Sequence, residues 1–124
     1  MTSPKSRLKV YEYSGCSTCK KALKFLDGRH TDYEKVPILE TPPSEAELRV
    51  MLKLMGGEIR KLFNTSGQAY REMGLGAKLS SMDEKQALRL LASNGRLVKR
   101  PFAIRGQEEG AVGFKEADWK KLAR

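Results

Sequence analysis

The stretch LKVYEYSGCSTCKKALKFLDG, residues 8–28, decides the fold. Apolar side chains alternate from Leu8 to Tyr13, which predicts a short strand followed by a turn. From Ser17 onward the apolar residues recur at helical spacing, which predicts a helix of about three turns. Residues 33–36, YEKV, predict a second strand. The chain therefore begins with a strand, a helix and another strand, which is a βαβ unit.

The middle of the chain, residues 44–95, has a helical pattern. Ser44 with Glu47 predicts a capping box at the start of one helix, and Ser81 with Glu84 predicts a second box. Gly56-Gly57, Gly74 and Asn94-Gly95 separate the helical segments, as expected of helix ends. We therefore expect this region to be a helical insertion between two parts of one sheet.

The last part of the chain predicts two strands and a terminal helix. These elements cover residues 102–104, 111–114 and 118–123. No internal repeat or low-complexity tract interrupts the pattern, and 124 residues is an ordinary length for one domain. We expect a single α/β domain over residues 1–124, with a mixed β-sheet from about 6–40 and 96–124 and an inserted helical subdomain at about 44–95.

Two cysteines, Cys16 and Cys19, lie at the predicted start of the first helix. Unpaired backbone N–H groups and the positive end of the helix dipole favour a thiolate there, and the thiolate is the nucleophilic form. Lys20-Lys21 adds positive charge nearby. We predict that Cys16 is the more exposed, attacking thiol and that Cys19 resolves a mixed disulfide or sulfenate on it. Ser17 and Thr18, between them, are candidate binding residues.

Two other interpretations of the cysteine pair stay open. A CxxC motif supplies only two of the four ligands of a structural zinc ion. The one histidine, His30, falls in a predicted loop, and no second cysteine pair is present, so we expect no metal site. Alternatively, both cysteines are buried and inert, although the residues around them are polar.

The composition limits the class of protein and its surroundings. No apolar run approaches the roughly 20 residues that span a bilayer, and the first residues lack the apolar segment of a secretory signal. We expect a cytoplasmic monomer that does not contact a membrane, in a compartment that keeps thiols reduced. The net charge of +9 attracts anions or only keeps the surface solvated. Direct nucleic-acid binding is not expected, since aromatic residues are not interleaved with the basic ones.

Two polar sites outside the CxxC motif are candidates for binding. Arg100-Pro101 precedes a predicted strand, and a proline at such a turn is either cis or an ordinary trans proline. In the cis case the turn would bring Arg100 near Cys16; in the trans case Arg100 would point into solvent. Asn64 begins the segment Asn-Thr-Ser-Gly and is either a helix N-cap or a substrate contact.

Four motifs occur in this order along the chain: YSGCSTCKKA at 13–22, PPS at 42–44, LFNTSGQAYREMGL at 62–75 and KRP at 99–101. Together they resemble the arsenate reductase (ArsC)-like family and, within it, the Spx/MgsR branch. The resemblance covers nearly the whole chain, from about Lys9 to Trp119, and implies a thioredoxin-like fold with an inserted helical domain.

The resemblance also implies a nucleophile at Cys16 and an oxyanion site. In the glutathione- and glutaredoxin-dependent arsenate reductases, three arginines hold the arsenate, and Arg100 matches one of them. The other two positions are Asn64 and, approximately, Gly113, so two charge-assisted contacts to an oxyanion are missing. Arg60, one turn before Asn64, is a candidate substitute.

The resemblance leaves three functions to compare. The first is a thiol–disulfide redox protein in which Arg100 and Pro101 help to bind an anionic substrate. It would hold no bound cofactor, and glutathione, glutaredoxin or thioredoxin would be its reductant. The second is a redox-sensing regulator, since a CxxC at this place is similar to the Spx-type regulators, which bind the RNA polymerase alpha subunit. The third, ranked last, is glutathione-dependent arsenate reduction.

Overall fold

A four-stranded mixed β-sheet lies at the centre of the computed structural model, which describes residues 7–123. The strands are ordered β2-β1-β3-β4. Strands β1 and β2 are parallel, whereas β3 is antiparallel to both β1 and β4. The bounds are Leu8–Glu12 for β1, Tyr33–Pro37 for β2, Phe102–Arg105 for β3 and Glu109–Val112 for β4. The sheet confirms the predicted mixed topology.

Helices connect and cover the strands. Helix α1 joins β1 to β2, helices α2 to α5 lie between β2 and β3 in the chain, and α6 follows β4. Their bounds are Ser17–Gly28, Glu45–Leu54, Gln68–Glu72, Leu75–Lys78, Glu84–Ser93 and Glu116–Lys120 in chain order. Short 3-10 turns cover Ile59–Leu62, Leu79–Ser81 and Gly95–Leu97. Within residues 7–123, no helix is both long and apolar enough to cross a bilayer.

Alternation along the strands divides the core between the two faces of the sheet. Leu8 and Val10 of β1 pack with α1 and with Trp119 of α6 on one face. Tyr11, one residue on, belongs to the larger cluster formed with the inserted helices on the opposite face. The inserted helices contribute to this cluster the buried residues Leu48, Met51, Leu52, Leu62, Tyr70, Leu75, Leu79, Ala87, Leu88 and Leu91.

The inserted region is also joined by backbone contacts to the segment that leads into β3. Phe63 and Val98 form an isolated antiparallel bridge. On either side of it, the Lys99 N–H donates to the Leu62 carbonyl at 2.8 Å, and the Asn64 N–H donates to the Leu97 carbonyl at 2.7 Å. These bonds hold Asn64 beside the segment that leads into Arg100.

One predicted helix cap is wrong. The second capping box is formed by Asp83 and Gln86, not by Ser81 and Glu84. The Gln86 N–H donates to Asp83 Oδ1 at 2.8 Å, and the Asp83 N–H donates to Gln86 Oε1 at 3.1 Å. Ser81 instead ends a 3-10 turn, where its hydroxyl donates to the Lys78 carbonyl. Because of this turn, α5 has Asp83 as its N-cap, two residues after the predicted N-cap Ser81.

The last hairpin is tighter than the sequence predicted. Strand β4 begins at Glu109, which pairs with Arg105, so only three residues connect β3 and β4. Gly106 lies in this turn with φ of 60°, a conformation that glycine adopts without steric cost. Helix α6 likewise begins at Glu116, two residues before the predicted start.

Candidate active site around Cys16

Cys16 lies between β1 and α1 and is the N-cap residue of α1. Its Sγ accepts a hydrogen bond from the Cys19 N–H at 3.2 Å, which satisfies one of the unpaired donors of the helix start. Its own N–H donates to the Tyr13 carbonyl at 3.0 Å, which fixes the turn before the helix. Cys16 is partly exposed, whereas Cys19 is buried.

Cys19 is completely buried in the first turn of α1. Burial, together with a hydrogen bond to the Cys16 side chain, raises the pKa of the Cys19 thiol to about 12. Both cysteines are free thiols in this structure. The two side chains are therefore in contact, but only Cys16 is accessible.

The solvent side of the first turns of α1 carries no acidic residue. Ser17, Thr18 and both Lys20 and Lys21 are exposed there. Two lysines near the N-terminal end of a helix oppose its dipole, so they do not help α1 to form. They add positive charge beside Cys16 instead.

Arg100 lies over the turn that precedes Cys16. The Arg100–Pro101 peptide bond is cis, which resolves the alternative that the sequence left open. Strand β1 pairs Tyr11 with Phe102, so Tyr13, which follows β1, and Arg100, which precedes β3, lie at the same end of the sheet. The Arg100 guanidinium carbon is 5.0 Å from the centre of the Tyr13 ring, a cation–π contact.

The Tyr13 ring also covers the backbone of Gly15. A Cβ built on Gly15 would lie 2.8 Å from Tyr13 Cε2, closer than carbon atoms approach in proteins. Glycine at this position therefore allows the ring to lie against the turn, with the Arg100 guanidinium against the ring. Tyr13 remains 38% exposed, which is high for a large aromatic side chain.

A cleft of about 250 Å³ opens beside Tyr13. Tyr13 and Leu39 form part of its apolar lining. Its polar lining residues are Asn64, Gln68, Glu72, Arg96 and Arg100. The structure thus brings two of the predicted binding residues, Asn64 and Arg100, to one cleft.

Arg60 is placed apart from this cleft. Its Nη1 donates to the Tyr70 hydroxyl at 2.8 Å and to the Gly76 carbonyl at 3.4 Å, so its guanidinium ties helices α3 and α4 together. Arg60 is not among the residues that line the cleft. The arginine that does line it, besides Arg100, is Arg96, which sequence reasoning missed.

Gly113, the approximate position of the third arginine that the sequence resemblance expects, lies beside Pro101. Its N–H donates to the Pro101 carbonyl at 2.9 Å, and its φ of 70° favours glycine. A Cβ at Gly113 would lie 3.2 Å from Cε of Lys99. The Lys99 side chain therefore lies over the position where the sequence resemblance expects an arginine.

No group of three or more His, Cys, Asp or Glu side chains that could hold a metal ion is found within residues 7–123.

Comparison with known proteins places these features in a family. The model of the ArsC family matches residues 11–122. The Bacillus subtilis protein YusI is 43% identical over 114 residues, which cover 92% of this chain and 96% of YusI.

Two solved structures are similar over almost their whole length. One is an ArsC family related protein from Bacteroides fragilis, 40% identical with a TM-score of 0.87, where the match covers 94% of this chain and 97% of that one. The other is named as a possible arsenate reductase from Streptococcus mutans UA159, 38% identical with a TM-score of 0.86, where the match covers 94% and 98%.

Proposed function

Since this chain belongs to the ArsC family, we propose that it is a thiol–disulfide oxidoreductase in which Cys16 is the nucleophile and Cys19 the resolving thiol. The single observation that carries the proposal is the asymmetry of the pair. Cys16 is partly exposed and its sulfur accepts a hydrogen bond from a backbone N–H at the start of α1, whereas the Cys19 thiol is buried in contact with it.

The proposed reaction begins when the Cys16 thiolate attacks one sulfur of a substrate disulfide. A Cys16–substrate disulfide forms, and the other half of the substrate leaves as a thiolate. Cys19 stays protonated before this step, because burial and its hydrogen bond with Cys16 raise its pKa. Once Cys16 is in the mixed disulfide, its charge no longer raises the pKa of Cys19, and the proton passes to the departing thiolate. Cys19 then attacks the Cys16 sulfur, the second half of the substrate leaves, and a Cys16–Cys19 disulfide forms. The protein loses two electrons and the substrate gains them.

A reducing thiol has to return the protein to its starting state. Two equivalents of a small thiol such as glutathione, or one dithiol protein such as a thioredoxin, would reduce the Cys16–Cys19 disulfide. A glutaredoxin is the third candidate. Arg100 would bind an anionic group of the substrate, because a guanidinium forms two parallel hydrogen bonds with a carboxylate.

The experiment that tests this proposal uses two matched variants with one mixed disulfide substrate. Cys19→Ser should accumulate a covalent adduct on Cys16 that intact-mass spectrometry detects, because the resolving thiol is missing. Cys16→Ser should form no adduct and should reduce no substrate. A Cys16→Ser protein that turns over the substrate at the wild-type rate would contradict the proposal.

A redox-switched regulator is the second candidate function. Its supporting observation is that Cys19 lies on the buried side of α1, with Ala22 and Leu26. A Cys16–Cys19 bond would replace the present thiol contact and shift the first turn of α1, changing the surface around it. Binding to the C-terminal domain of the RNA polymerase alpha subunit, compared between reduced and oxidised protein, tests this candidate, and no binding in either state removes it.

Arsenate reduction is the least supported candidate. Of the three arginines expected in arsenate reductases of this type, only Arg100 is present, whereas the matching positions are Asn64 and Gly113. Arsenite production in the presence of glutathione and glutaredoxin would support it, and its absence with active Cys16 would exclude it.

A further inference from the structure

The two edges of the sheet differ in how their outward backbone groups are paired. Strand β2 forms one edge and β4 forms the other. At the β2 edge, the Tyr33 carbonyl accepts a hydrogen bond from Arg7 Nη2 at 3.0 Å. The Pro37 carbonyl accepts one from the Thr41 N–H at 2.9 Å, and proline has no N–H to offer. The β2 edge is therefore blocked near both of its ends against a further strand.

Strand β4 leaves its outward backbone groups open. Successive residues of an antiparallel strand alternate between facing the partner strand and facing away from it. The Gly113 N–H donates to the Pro101 carbonyl of the segment before β3, so Ala111, two residues earlier, also faces β3. Gly110 and Val112 then point their N–H and C=O groups away from the sheet. No hydrogen bond to these outward groups is found within residues 7–123.

A groove of about 500 Å³ runs along this open edge. One wall is formed by Leu54 and Met55 at the end of α2, and the other wall includes Leu122, which follows α6. The walls lie on opposite faces of the sheet, because Leu54 and Met55 pack against the larger core cluster and Leu122 belongs to the smaller one. A groove with a wall on each face leaves room for a single extended segment in the plane of the sheet.

The lining of the groove is acidic although the chain is basic. Its charged residues are Glu108, Glu109, Asp118 and Lys121. Three carboxylates and one ammonium group give a formal charge of −2, whereas the whole chain carries +9. Glu109 pairs with Arg105 Nη1 at 2.9 Å. Glu108 and Asp118 are exposed, and neither forms an ion pair within residues 7–123, so their charges are available to a cationic ligand.

We propose that the edge of β4 binds an extended segment of a partner protein in which lysine or arginine residues alternate with apolar ones. The segment adds a fifth strand to the sheet, because Gly110 and Val112 offer two N–H donors and two C=O acceptors at the spacing of a strand. The groove is lined by neither cysteine, so this binding site goes beyond the proposed reaction and is separate from it.

The two walls account for the alternating sequence of the bound segment. Successive side chains of a strand point to opposite faces of a sheet. Those on the α2 side meet the apolar Leu54 and Met55, whereas those on the α6 side meet the Asp118 carboxylate. Apolar side chains therefore fit the first wall, and lysine or arginine fits the second.

A second copy of this chain fits the edge less well than a short segment does. Two copies that paired through β4 would be related by a two-fold axis, which places each surface patch against its own equivalent. The carboxylates of Glu108 and Asp118 would then meet like charges, and the helix ends that wall the groove would meet one another. A basic segment supplies the opposite charge and carries no such helices.

The probe that tests the proposal is the synthetic heptapeptide Thr-Lys-Val-Lys-Val-Lys-Thr, with both ends blocked so that they carry no charge. It is titrated into isotope-labelled full-length protein, and the backbone amide resonances are followed by NMR. We expect saturable shifts at Gly110, Ala111 and Val112 with a Kd below about 1 mM. Hydrogen exchange of the Gly110 and Val112 amides should become slower in the complex. An analogue N-methylated at each lysine and valine should bind at least about fivefold more weakly, because it cannot donate main-chain hydrogen bonds.

Two variants of α6 separate the charge of the groove from the charge of the whole protein. Asp118→Lys places a repulsive charge in the wall and should raise the Kd about fivefold. Glu116→Lys is the matched control, because Glu116 is exposed on the same first turn of α6 but does not line the groove. It makes the same change in net charge and should leave the Kd unchanged.

Any of four results would overturn the proposal. The first is no shift at Gly110 and Val112 at several millimolar peptide, and the second is equal affinity for the N-methylated analogue. The third is an equal rise in Kd for Glu116→Lys and Asp118→Lys, since the peptide would then sense only net charge. The fourth is a dimer in sedimentation velocity whose Gly110 and Val112 amides are protected before peptide is added, because a second copy would then occupy the edge.

Discussion

Two cysteines three residues apart acquire different chemistry because only one of them faces the core. Helix α1 packs its buried side, which includes Cys19, onto the sheet, while Cys16 precedes the helix and stays partly exposed. The backbone N–H of Cys19 points at the Cys16 sulfur because the N-cap position requires an acceptor there. The same local geometry therefore exposes one sulfur and buries the other.

The thiols should differ in their reaction with iodoacetamide. At pH 7 we expect rapid modification of Cys16 and almost none of Cys19, because the pKa of Cys19 is raised to about 12 and its sulfur is buried. As the pH is raised toward 12, the modification rate of Cys19 should increase about tenfold per pH unit, because the fraction of thiolate increases by that factor, as long as the protein stays folded. Peptide mapping by mass spectrometry measures both rates.

Unfolded protein is the control for this measurement, since both thiols should react at similar rates once burial is lost. Equal rates in the folded protein at pH 7 would contradict the asymmetry on which the proposed function rests.

A single methyl group at position 15 should disturb the contact between Tyr13 and Arg100. Gly15→Ala places a Cβ 2.8 Å from Tyr13 Cε2, so the ring must move away from the turn. Because a surface ring can move cheaply, we expect a stability loss below about 1 kcal/mol. The cation–π contact is lost with the ring, so kcat/KM for an anionic disulfide should fall severalfold.

Gly28→Ala is the matched control for this substitution, because a Cβ at Gly28 meets nothing within 4 Å. It should leave kcat/KM unchanged. If Gly15→Ala also leaves kcat/KM unchanged while its Tm matches wild type, the position of the Tyr13 ring does not matter for the site.

The residues around Cys16 could be predicted to different degrees. Cys16, Cys19 and Arg100 could be identified from the sequence, because the CxxC and Arg-Pro motifs fix both the residue type and its position in the chain. Arg96 was not, since it enters the cleft only through the 3-10 turn Gly95–Leu97, and the sequence indicated no more than a helix end there. Arg60 fails as a substitute for a different reason: the Tyr70 hydroxyl and the Gly76 carbonyl already engage its guanidinium.

At the scale of elements, one carboxylate joins the first inserted helix to the sheet. Glu47 of α2 accepts hydrogen bonds from Lys9 Nζ at 2.8 Å and from the Tyr11 hydroxyl at 2.6 Å, both on β1. It also accepts the Ser44 N–H as part of the predicted capping box. Burial alone would raise the pKa of Glu47, but these hydrogen bonds outweigh it and lower the pKa.

Glu47→Gln should weaken this junction and change its pH dependence. The substitution removes the charge that Lys9 and Tyr11 face, so we expect a loss of about 1–3 kcal/mol of unfolding free energy at pH 7. Because the folded pKa is lowered, the stabilisation from ionised Glu47 is complete above the unfolded pKa of roughly 4.3 and is lost as pH falls through the folded value.

Urea unfolding at several pH values between 7 and 3 measures this effect. The difference between wild type and Glu47→Gln should shrink as the pH falls toward 3. Glu45→Gln, on the same first turn of α2, is the control, since no hydrogen bond or ion pair of the Glu45 side chain is found within residues 7–123. A difference that stays constant across this pH range would show that Glu47 does not act through its charge.

The two capping boxes show where element boundaries could be predicted and where they could not. Ser44 and Glu47 were identified because Pro42-Pro43 before them ends any earlier helix and leaves one serine as the N-cap. Before α5, the residues Ser80, Ser81 and Asp83 all have capping side chains. Which one caps the helix depends on the 3-10 turn Leu79–Ser81, which packs Leu79 into the core, a tertiary effect.

At the scale of the whole molecule, the inserted helices and the sheet share one hydrophobic cluster. Tyr11, Val36, Phe102 and Ile104 of the strands lie in the same cluster as the residues of α2 to α5. Gly95 allows a close backbone contact between the two parts, because a Cβ there would lie 2.0 Å from the Ile38 carbonyl oxygen. Only glycine allows the chain leaving α5 to pass so close to the end of β2. The periodicity of the sequence predicted each part but not this contact, which joins residues 57 positions apart.

The prediction of a single domain follows from that shared cluster and can be tested with the only tryptophan, Trp119. Trp119 is completely buried on the opposite face of the sheet from Leu88 of α5. Leu88→Ala leaves a cavity among the inserted helices and should cost about 2–5 kcal/mol. If both faces belong to one cooperative unit, Trp119 fluorescence and far-UV circular dichroism should report the same lowered urea midpoint.

Lys85→Ala is the matched control, because Lys85 is exposed on the same helix, and it should shift neither signal. The opposite result would be a Leu88→Ala protein in which the Trp119 transition keeps the wild-type midpoint while the circular dichroism signal is lost at lower urea. The insertion would then unfold by itself, because a cavity at position 88 lowers the Trp119 midpoint only if Trp119 and the inserted helices unfold in one transition.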